Sequence, residues 1–388
     1  MSKLEDKMVN DYAILAITKH GVKLARSLHQ KFVRADLFYP EKFRQGDEEK
    51  NGIHLFSGKV TQIMPALFKT YKGIILFVSL GAVVRMIAPL LKDKKSDPAV
   101  VVIDDLGINA ISVLSGHLGG ANELTIKIAS LLNARPIITT ASDVQKTIAV
   151  DLFGKQFGWE YETDEKITPV SASVVNQEKI AIIQESGEKN WWSYSSPLPD
   201  NIFVYSSIKD ALADKSEAAL VVTHRMLTQE ESAILENGVL YRPKVIVLGI
   251  GCNRGTSASE IEQVIIETLE ELKFSIKSVK ALCTIDIKKD EQGLIEIVNK
   301  YGWEFVTYSP SELNTVEISE PSETVFKYTG AYGVSEPAAK LYSGANELVL
   351  TKKKSGNVTI SVGIVQHEGK GGLACQHIDL SLPEQEAE

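Results

Sequence analysis

Long apolar runs are missing from this chain. No stretch approaches the roughly 20 consecutive apolar residues that a bilayer-spanning helix needs, and Met1 to Asn10 carries charges where a secretory leader would be apolar. The reading is a cytosolic protein with no membrane partner. Cysteine is also scarce: Cys252, Cys283 and Cys375 lie far apart and form no C-x-x-C pair, which speaks against a disulfide framework or a structural zinc site. The seven histidines are scattered, with only His367 and His377 near a cysteine, so no protein-held metal is expected. A dense basic face is missing too. The net charge is −8, whereas a nucleic-acid binder needs clustered cations to displace counterions from phosphates. Within that acidic total, residues 51–140 hold nine Lys/Arg against five Asp/Glu, a local +4. Such a segment suits a small polyanionic ligand or, more plainly, a solvated charged face.

What is present is an ordinary globular composition, 388 residues with 44% hydrophobic and 24% charged, enough for more than one core. The first 140 residues alternate short β-branched runs with amphipathic stretches, the pattern of a mostly parallel α/β sheet. Strands are expected at Tyr12 to Ile17, Ile74 to Ser79, Val100 to Ile103 and Pro136 to Thr139. Residues 1–141 are read as this N-terminal α/β domain, and 142–238 as a small central α/β module with a helical stretch to about Trp159 and a strand at Ala218 to Thr223. Glu236 to Pro243 is read as a linker. Residues 239–366 form a C-terminal α/β domain with a mixed sheet. There Ser257 and Glu260 suggest a capping box, and Glu347 to Lys352 with Asn357 to Val362 suggest a hairpin. The tail 367–388 is expected to be disordered.

Ligands of open α/β sheets lie beyond the carboxyl ends of strands, where helix N-terminal amides point. Four junctions carry unusual residues. In Ser79-Leu80-Gly81-Ala82-Val83-Val84-Arg85, Gly81 permits a tight turn and Arg85 lies one helical turn on, a carboxylate clamp or a plain surface arginine. In Ser115-Gly116-His117-Leu118-Gly119-Gly120-Ala121-Asn122-Glu123, His117 is the best general base by its ordinary pKa, and Glu123 could orient it or act as an acid. Ser115 is a possible nucleophile, but Ser-Gly-His lacks the Gly-x-Ser-x-Gly elbow. Amides near Gly119 and Gly120 suit an oxyanion, and Asn122 offers a polar contact. The bland alternative is a decorated helix cap. The third junction ends in Thr139, Thr140 and Asp143, where Asp143 reads first as an N-cap and second as a ligand contact. The fourth is Gly249-Ile250-Gly251-Cys252-Asn253-Arg254-Gly255. Its third glycine comes one residue late for a dinucleotide fingerprint, so an anion-binding turn around Asn253 and Arg254 fits better. Thr284 closes a strand further on and Glu336 opens a helix, where compensation of the helix dipole alone would explain it.

Ser115 to Glu123 with Ile137 to Asp143 resembles the N-terminal part of the cobalamin biosynthesis protein CbiG family, and Gly249 to Gly255 with Thr284-Ile285-Asp286 and Gly333 to Ala339 resembles its C-terminal part. The likeness spans roughly Tyr12 to Val365. It implies hydrolysis of cobalt-precorrin-5A: the ring A lactone opens and the extruded bridge carbon leaves with its methyl group as acetaldehyde. Arg85, Arg254 and helix N-termini would then hold the macrocycle's carboxylates and His117 would activate water, with Gly251 and Glu336 also at the ligand. No cofactor is implied, since cobalt comes with the corrinoid substrate; transient contact with neighbouring pathway methyltransferases is. The rival readings are a non-catalytic corrinoid-binding or handover protein, because the C-terminal half resembles a stand-alone protein of the aerobic pathway, and a methyltransferase, which the misspaced glycines disfavour.

Overall fold

The computed structural model describes residues 10–365, which divide at Leu152/Phe153 into two compact units. The first unit contains strands Tyr12–Ala16 (β1), Ala35–Pro40 (β2), Ile53–Phe56 (β3), Gly73–Phe77 (β4), Ala99–Ile103 (β5), Asn109–Leu114 (β6) and Arg135–Ile137 (β7). They form one sheet in the order β3-β2-β1-β4-β5-β6-β7. The central strands β4 and β5 are buried at every position, the signature of a parallel sheet covered on both faces. Val22, Ala25, Leu28, Leu124 and Ile128 cover one face, and Met64, Leu67, Val83 and Ile87 the other.

The sheet is not parallel throughout. Strands β1 to β5 run together, but Val100 pairs with Leu114 and Ile103 with Ala110, so β6 is antiparallel to β5, and β7 runs with β6. The reversal is built at Asp104. Its carboxylate accepts the backbone N–H groups of Leu106, Ile108 and Asn109 and the side-chain amide of Asn109, while Gly107 takes a positive φ of 69°. Chain segments leaving β6 and β7 therefore emerge at the opposite end of the sheet from those leaving β1, β4 and β5.

The second unit contains two sheets. Strands Glu160–Tyr161 (β8), Ile180–Gln184 (β9), Ile202–Tyr205 (β10), Ala218–Val222 (β11) and Gly238–Arg242 (β12) assemble as β10-β9-β11-β12-β8. The segment read as a linker is thus a strand, buried at all five positions because Gly238 to Tyr241 pair along β11. A sequence-drawn boundary at 238 runs through this strand. The helical stretch expected to reach Trp159 stops at Gln145, where Lys146 turns into the left-handed region at φ 53°.

The third sheet joins Ile246–Cys252 (β13), Val279–Ile285 (β14), Glu304–Tyr308 (β15), Leu350–Ser355 (β16) and Val358–Ile364 (β17) in the order β15-β14-β13-β17-β16. It is mixed: β14 and β15 run parallel to β13, and β17 runs against it. Ser257 caps the helix Ala258–Glu271 by accepting from the Glu260 amide, but the capping box stays open because the Glu260 carboxylate takes the Asn357 amide instead. The segment expected to be a disordered tail lies outside the described residues. Among the described residues no helix is long and apolar enough to cross a membrane.

Candidate active site

The turn from β6 into the helix Ala121–Leu132 owes its shape to its glycines. Ser115 sits at φ 57°, and a Cβ on Gly119 would come within 2.3 Å of the Ser115 Cβ. Gly120 takes φ 80° as the residue before the helix. Three amides at the end of the turn are consumed internally: Gly120 donates to the His117 carbonyl, Ala121 to that of Ser115 and Asn122 to that of Gly116. Gly119 and Gly120 therefore close the turn, and the Gly120 amide is spent there rather than offered to an oxyanion. The Ser115 hydroxyl donates to the Asp97 carbonyl at 2.9 Å, which turns it away from a nucleophile's role.

His117 is where the polar groups converge. Its Nε2 lies 3.0 Å from Asp143 Oδ2 and 3.1 Å from the Ser142 hydroxyl, and its Nδ1 lies 3.2 Å from Asp151 Oδ1. Asn122 is buried and ties the surroundings together, accepting from the Ser112 hydroxyl while its amide donates to Thr140 Oγ1 and Asp143 Oδ2. Thr140 precedes the short helix Ala141–Gln145, so Asp143 is not its N-cap but a residue of its first turn, aimed at the imidazole. Thr139 is exposed beside it. With one carboxylate on each ring nitrogen, the His117 pKa is raised above the ordinary histidine value. The Asp151 bond contributes most, burial opposes it, and Asp143 adds to the rise.

Two sequence expectations change here. Glu123 is exposed on the first helical turn, and the carboxylates that hold the ring are Asp143 and Asp151. Asp151 is absent from the sequence reading, since Val150-Asp151-Leu152 belongs to no motif; its one signal is a charge set between apolar residues. A ring with a carboxylate on each nitrogen is also no free base. Arg85 is exposed and donates to the Gly81 carbonyl at 3.2 Å. It follows β4, whereas His117 follows β6, so the reversal at β5–β6 puts Gly81 and Arg85 at the other end of the sheet. Lys92 and Lys94, on the loop before β5 whose Asp97 carbonyl receives Ser115, lie at the His117 end.

In the second unit the predicted residues separate. Gly249 packs a helix: a Cβ there would lie 1.9 Å from the Ser335 carbonyl oxygen. Thr284 is fully buried and donates to the Ile250 carbonyl, out of reach of any ligand. Gly251, Asn253, Arg254 and Glu336 line one cavity of about 560 Å³ beyond the carboxyl ends of β13 and β14. The turn there is not a vacant anion nest, because Glu291 accepts the Gly255 amide and Arg254 pairs with Asp290 at 2.6 Å. Glu336 is likewise engaged, by Ser319 and Lys340. Among the described residues no group of three or more His, Cys, Asp or Glu is disposed to hold a metal ion.

An imidazole clamped between carboxylates at a glycine-shaped strand exit of an α/β sheet is a group chemically able to exchange protons with a ligand. Comparison with known proteins makes this specific. Family models described as the cobalamin synthesis G N-terminal domain, the cobalamin biosynthesis central region and the cobalamin synthesis G C-terminus match residues 62–143, 148–243 and 246–363. The cobalt-precorrin-5A hydrolase of Priestia megaterium is 67% identical over 358 residues, covering 92% of this chain and 96% of that protein. The enzyme of the same name from Salmonella typhimurium is 32% identical, covering 91% and 97%. A crystal structure of a cobalamin biosynthesis protein G homologue from Sulfolobus solfataricus is 21% identical over 94% of this chain and all of that one, with a TM-score of 0.35. The chain belongs to the CbiG family of cobalamin biosynthesis proteins.

Proposed function

We infer that this chain is a cobalt-precorrin-5A hydrolase of anaerobic cobalamin biosynthesis, opening the ring A lactone and releasing acetaldehyde to give cobalt-precorrin-5B. The 67% identity to the Priestia megaterium enzyme over nearly the whole chain carries the substrate. One observation carries the chemistry: His117 held between Asp143 and Asp151 at the exit of β6.

Lactone opening consumes one water. Its oxygen adds to the lactone carbonyl and stays in the ring A carboxylate, and the carbonyl–oxygen bond breaks with its electron pair going to the bridge oxygen. That oxygen then closes to an aldehyde as the bond from bridge carbon to ring breaks, leaving its pair on the macrocycle. Two groups are needed, one to take a proton from water and one to stabilise the oxyanion. Asp143, the more exposed of the two carboxylates, suits the first role. His117 suits the second, as a cationic N–H donor oriented by the more buried Asp151, with Ser142 and Asn122 as positioning residues. Thr139 and Thr140 flank the same opening, and Lys92 and Lys94 offer charge to peripheral carboxylates. Cobalt belongs to the substrate, and addition of water to a lactone asks for an acid and a base rather than a resident cofactor. Cytoplasmic action and transient handover of product to neighbouring methyltransferases belong to the same reading.

The test is incubation of the purified chain with cobalt-precorrin-5A and an assay for acetaldehyde. Wild type releases it stoichiometrically with product. His117→Ala lowers kcat about 100-fold or more, the scale of a lost acid–base or oxyanion group, with little change in substrate binding. Corrinoid binding by wild type with no aldehyde at any enzyme concentration would defeat the hydrolase reading; near-normal turnover by His117→Ala would remove the residue from the mechanism.

A further inference from the structure

Strand β6 slips its register just before the His117 turn begins. Val102 pairs with Ile111 and Val101 with Ser112, but Val100 pairs with Leu114, so Val113 is an extra residue and β6 carries a β-bulge. A bulge changes which face the following side chains take. Val113 and Leu114 both pack on the face of Met64 and Leu67, whereas Ala110, ahead of the bulge, packs on the face of Leu124 and Ile128. By the alternation of a strand Ser112 shares the side of Ala110, beneath the helix Ala121–Leu132. There its hydroxyl donates to Asn122 Oδ1 at 2.7 Å.

The two ends of the Asn122 amide are not interchangeable at this place. Its Oδ1 is enclosed by the Ser112 hydroxyl and by Gly116, where a Cβ would come within 2.9 Å of that oxygen. Its Nδ2 donates to Thr140 Oγ1 at 2.7 Å and to Asp143 Oδ2 at 2.9 Å, the same oxygen that lies 3.0 Å from His117 Nε2. Turned over, the amide would set its oxygen against the Asp143 carboxylate with no proton between them, since an ionised carboxylate only accepts. Asp143 therefore selects the orientation, and Ser112 satisfies the buried oxygen that this orientation turns away from it.

We propose that Ser112 is a positioning residue of the His117 site: its hydroxyl holds Asn122 so that the Asn122 amide in turn holds Asp143 Oδ2 against the imidazole. Without the hydroxyl, Oδ1 of a side chain only 6% exposed loses its donor, and an unmet buried acceptor costs enough to move the group that carries it. The clamp on Asp143 then loosens. Its consequence for turnover rests on the hydrolase reading above; the clamp itself rests on the hydrogen bonds.

The full chain labelled with ¹⁵N-histidine tests this without substrate, the His117 ring being followed by NMR through a pH titration and identified by its absence from His117→Gln. Asp151 most, and Asp143 in addition, hold the His117 pKa above the ordinary value. Ser112→Ala moves it part of the way back, and Ser112→Thr, which keeps the hydroxyl on a residue suited to a strand, leaves it as in wild type. Asn122→Ala lowers it at least as far, and adding Ser112→Ala to Asn122→Ala lowers it no further, as expected of residues that act through one another. With cobalt-precorrin-5A, Ser112→Ala lowers kcat about tenfold, the scale of one hydrogen bond in a buried network, with KM near wild type. An unchanged His117 titration in Ser112→Ala overturns the proposal, whatever its melting temperature; so do an equal shift in the alanine and threonine variants and a further shift in the double variant. The same preparations separate the two readings. A Ser112→Ala shift with no acetaldehyde from wild type sinks the hydrolase and keeps the clamp, and an active wild type with normal titration and turnover in Ser112→Ala does the opposite.

Discussion

His117 has a carboxylate on each ring nitrogen, and this sets the sign of its pH response. Because the pKa is raised, an oxyanion-stabilising role of the protonated ring is lost only as pH rises through that raised value. The same shift is a stability statement. The His117 contribution is fully present below the unfolded histidine pKa and disappears as pH climbs through the folded one. Asp151 supplies the largest raising effect, so Asp151→Asn should move the alkaline limb of the kcat profile to lower pH. A profile unchanged by that substitution would mean that another group sets the limb. Asp143→Asn should instead depress kcat about 100-fold at every pH, as expected for loss of a general base. A structural role for Asp143 would show as a lowered melting temperature with kcat retained.

Among the elements, one very tight contact lies between a strand and a helix. Gly249 on β13 leaves no room for a methyl group beneath Ser335, so Gly249→Ala must lift the helix Ser335–Ser343 off the sheet. About 1–3 kcal/mol of destabilisation is expected in denaturant titrations, the usual cost of overpacking. Single elements are legible in sequence: Ala99–Ile103 and Ala218–Val222 fall where the β-branched runs put them. Strand direction is not. Hydrophobic pattern reports which residues are buried and is silent on which way a strand runs, so Arg85 and His117 look like neighbours until the β5–β6 pairing is known. Gly238–Arg242 was hidden for a related reason: its glycine and the following Pro243 resemble a linker, yet they bracket a buried strand. The converging motif around His117 was readable because its residues surround glycines and helix starts, whereas Asp151 sits on a turn with no pattern to announce it.

Across the whole molecule, the two units carry histidines that respond to acid with opposite sign. His224, packed edge-on against Phe274, has a buried Nδ1 with no hydrogen-bond partner among the described residues, and burial pushes its pKa down to about 4. As pH falls from the ordinary histidine value toward 4, the unfolded chain takes up a proton that the folded unit refuses. Stability contributed by the neutral ring is therefore lost over that window. Hydrogen exchange followed by peptide should show His224→Leu protecting residues 153–365 more than wild type at pH 5, with the difference shrinking at pH 8. No pH dependence in that difference would contradict the assignment. Within the first unit, the hairpin at Asp104 bears on the order of assembly. Parallel strands must wait for long crossovers to close, but β5 and β6 are joined by a loop of five residues, Asp104 to Ile108, whose closure entropy is small. The rim that carries His117 is thus attached to the sheet through its most local pairing, and a nascent chain can form that pairing before Asp143 and Asp151 have been synthesised.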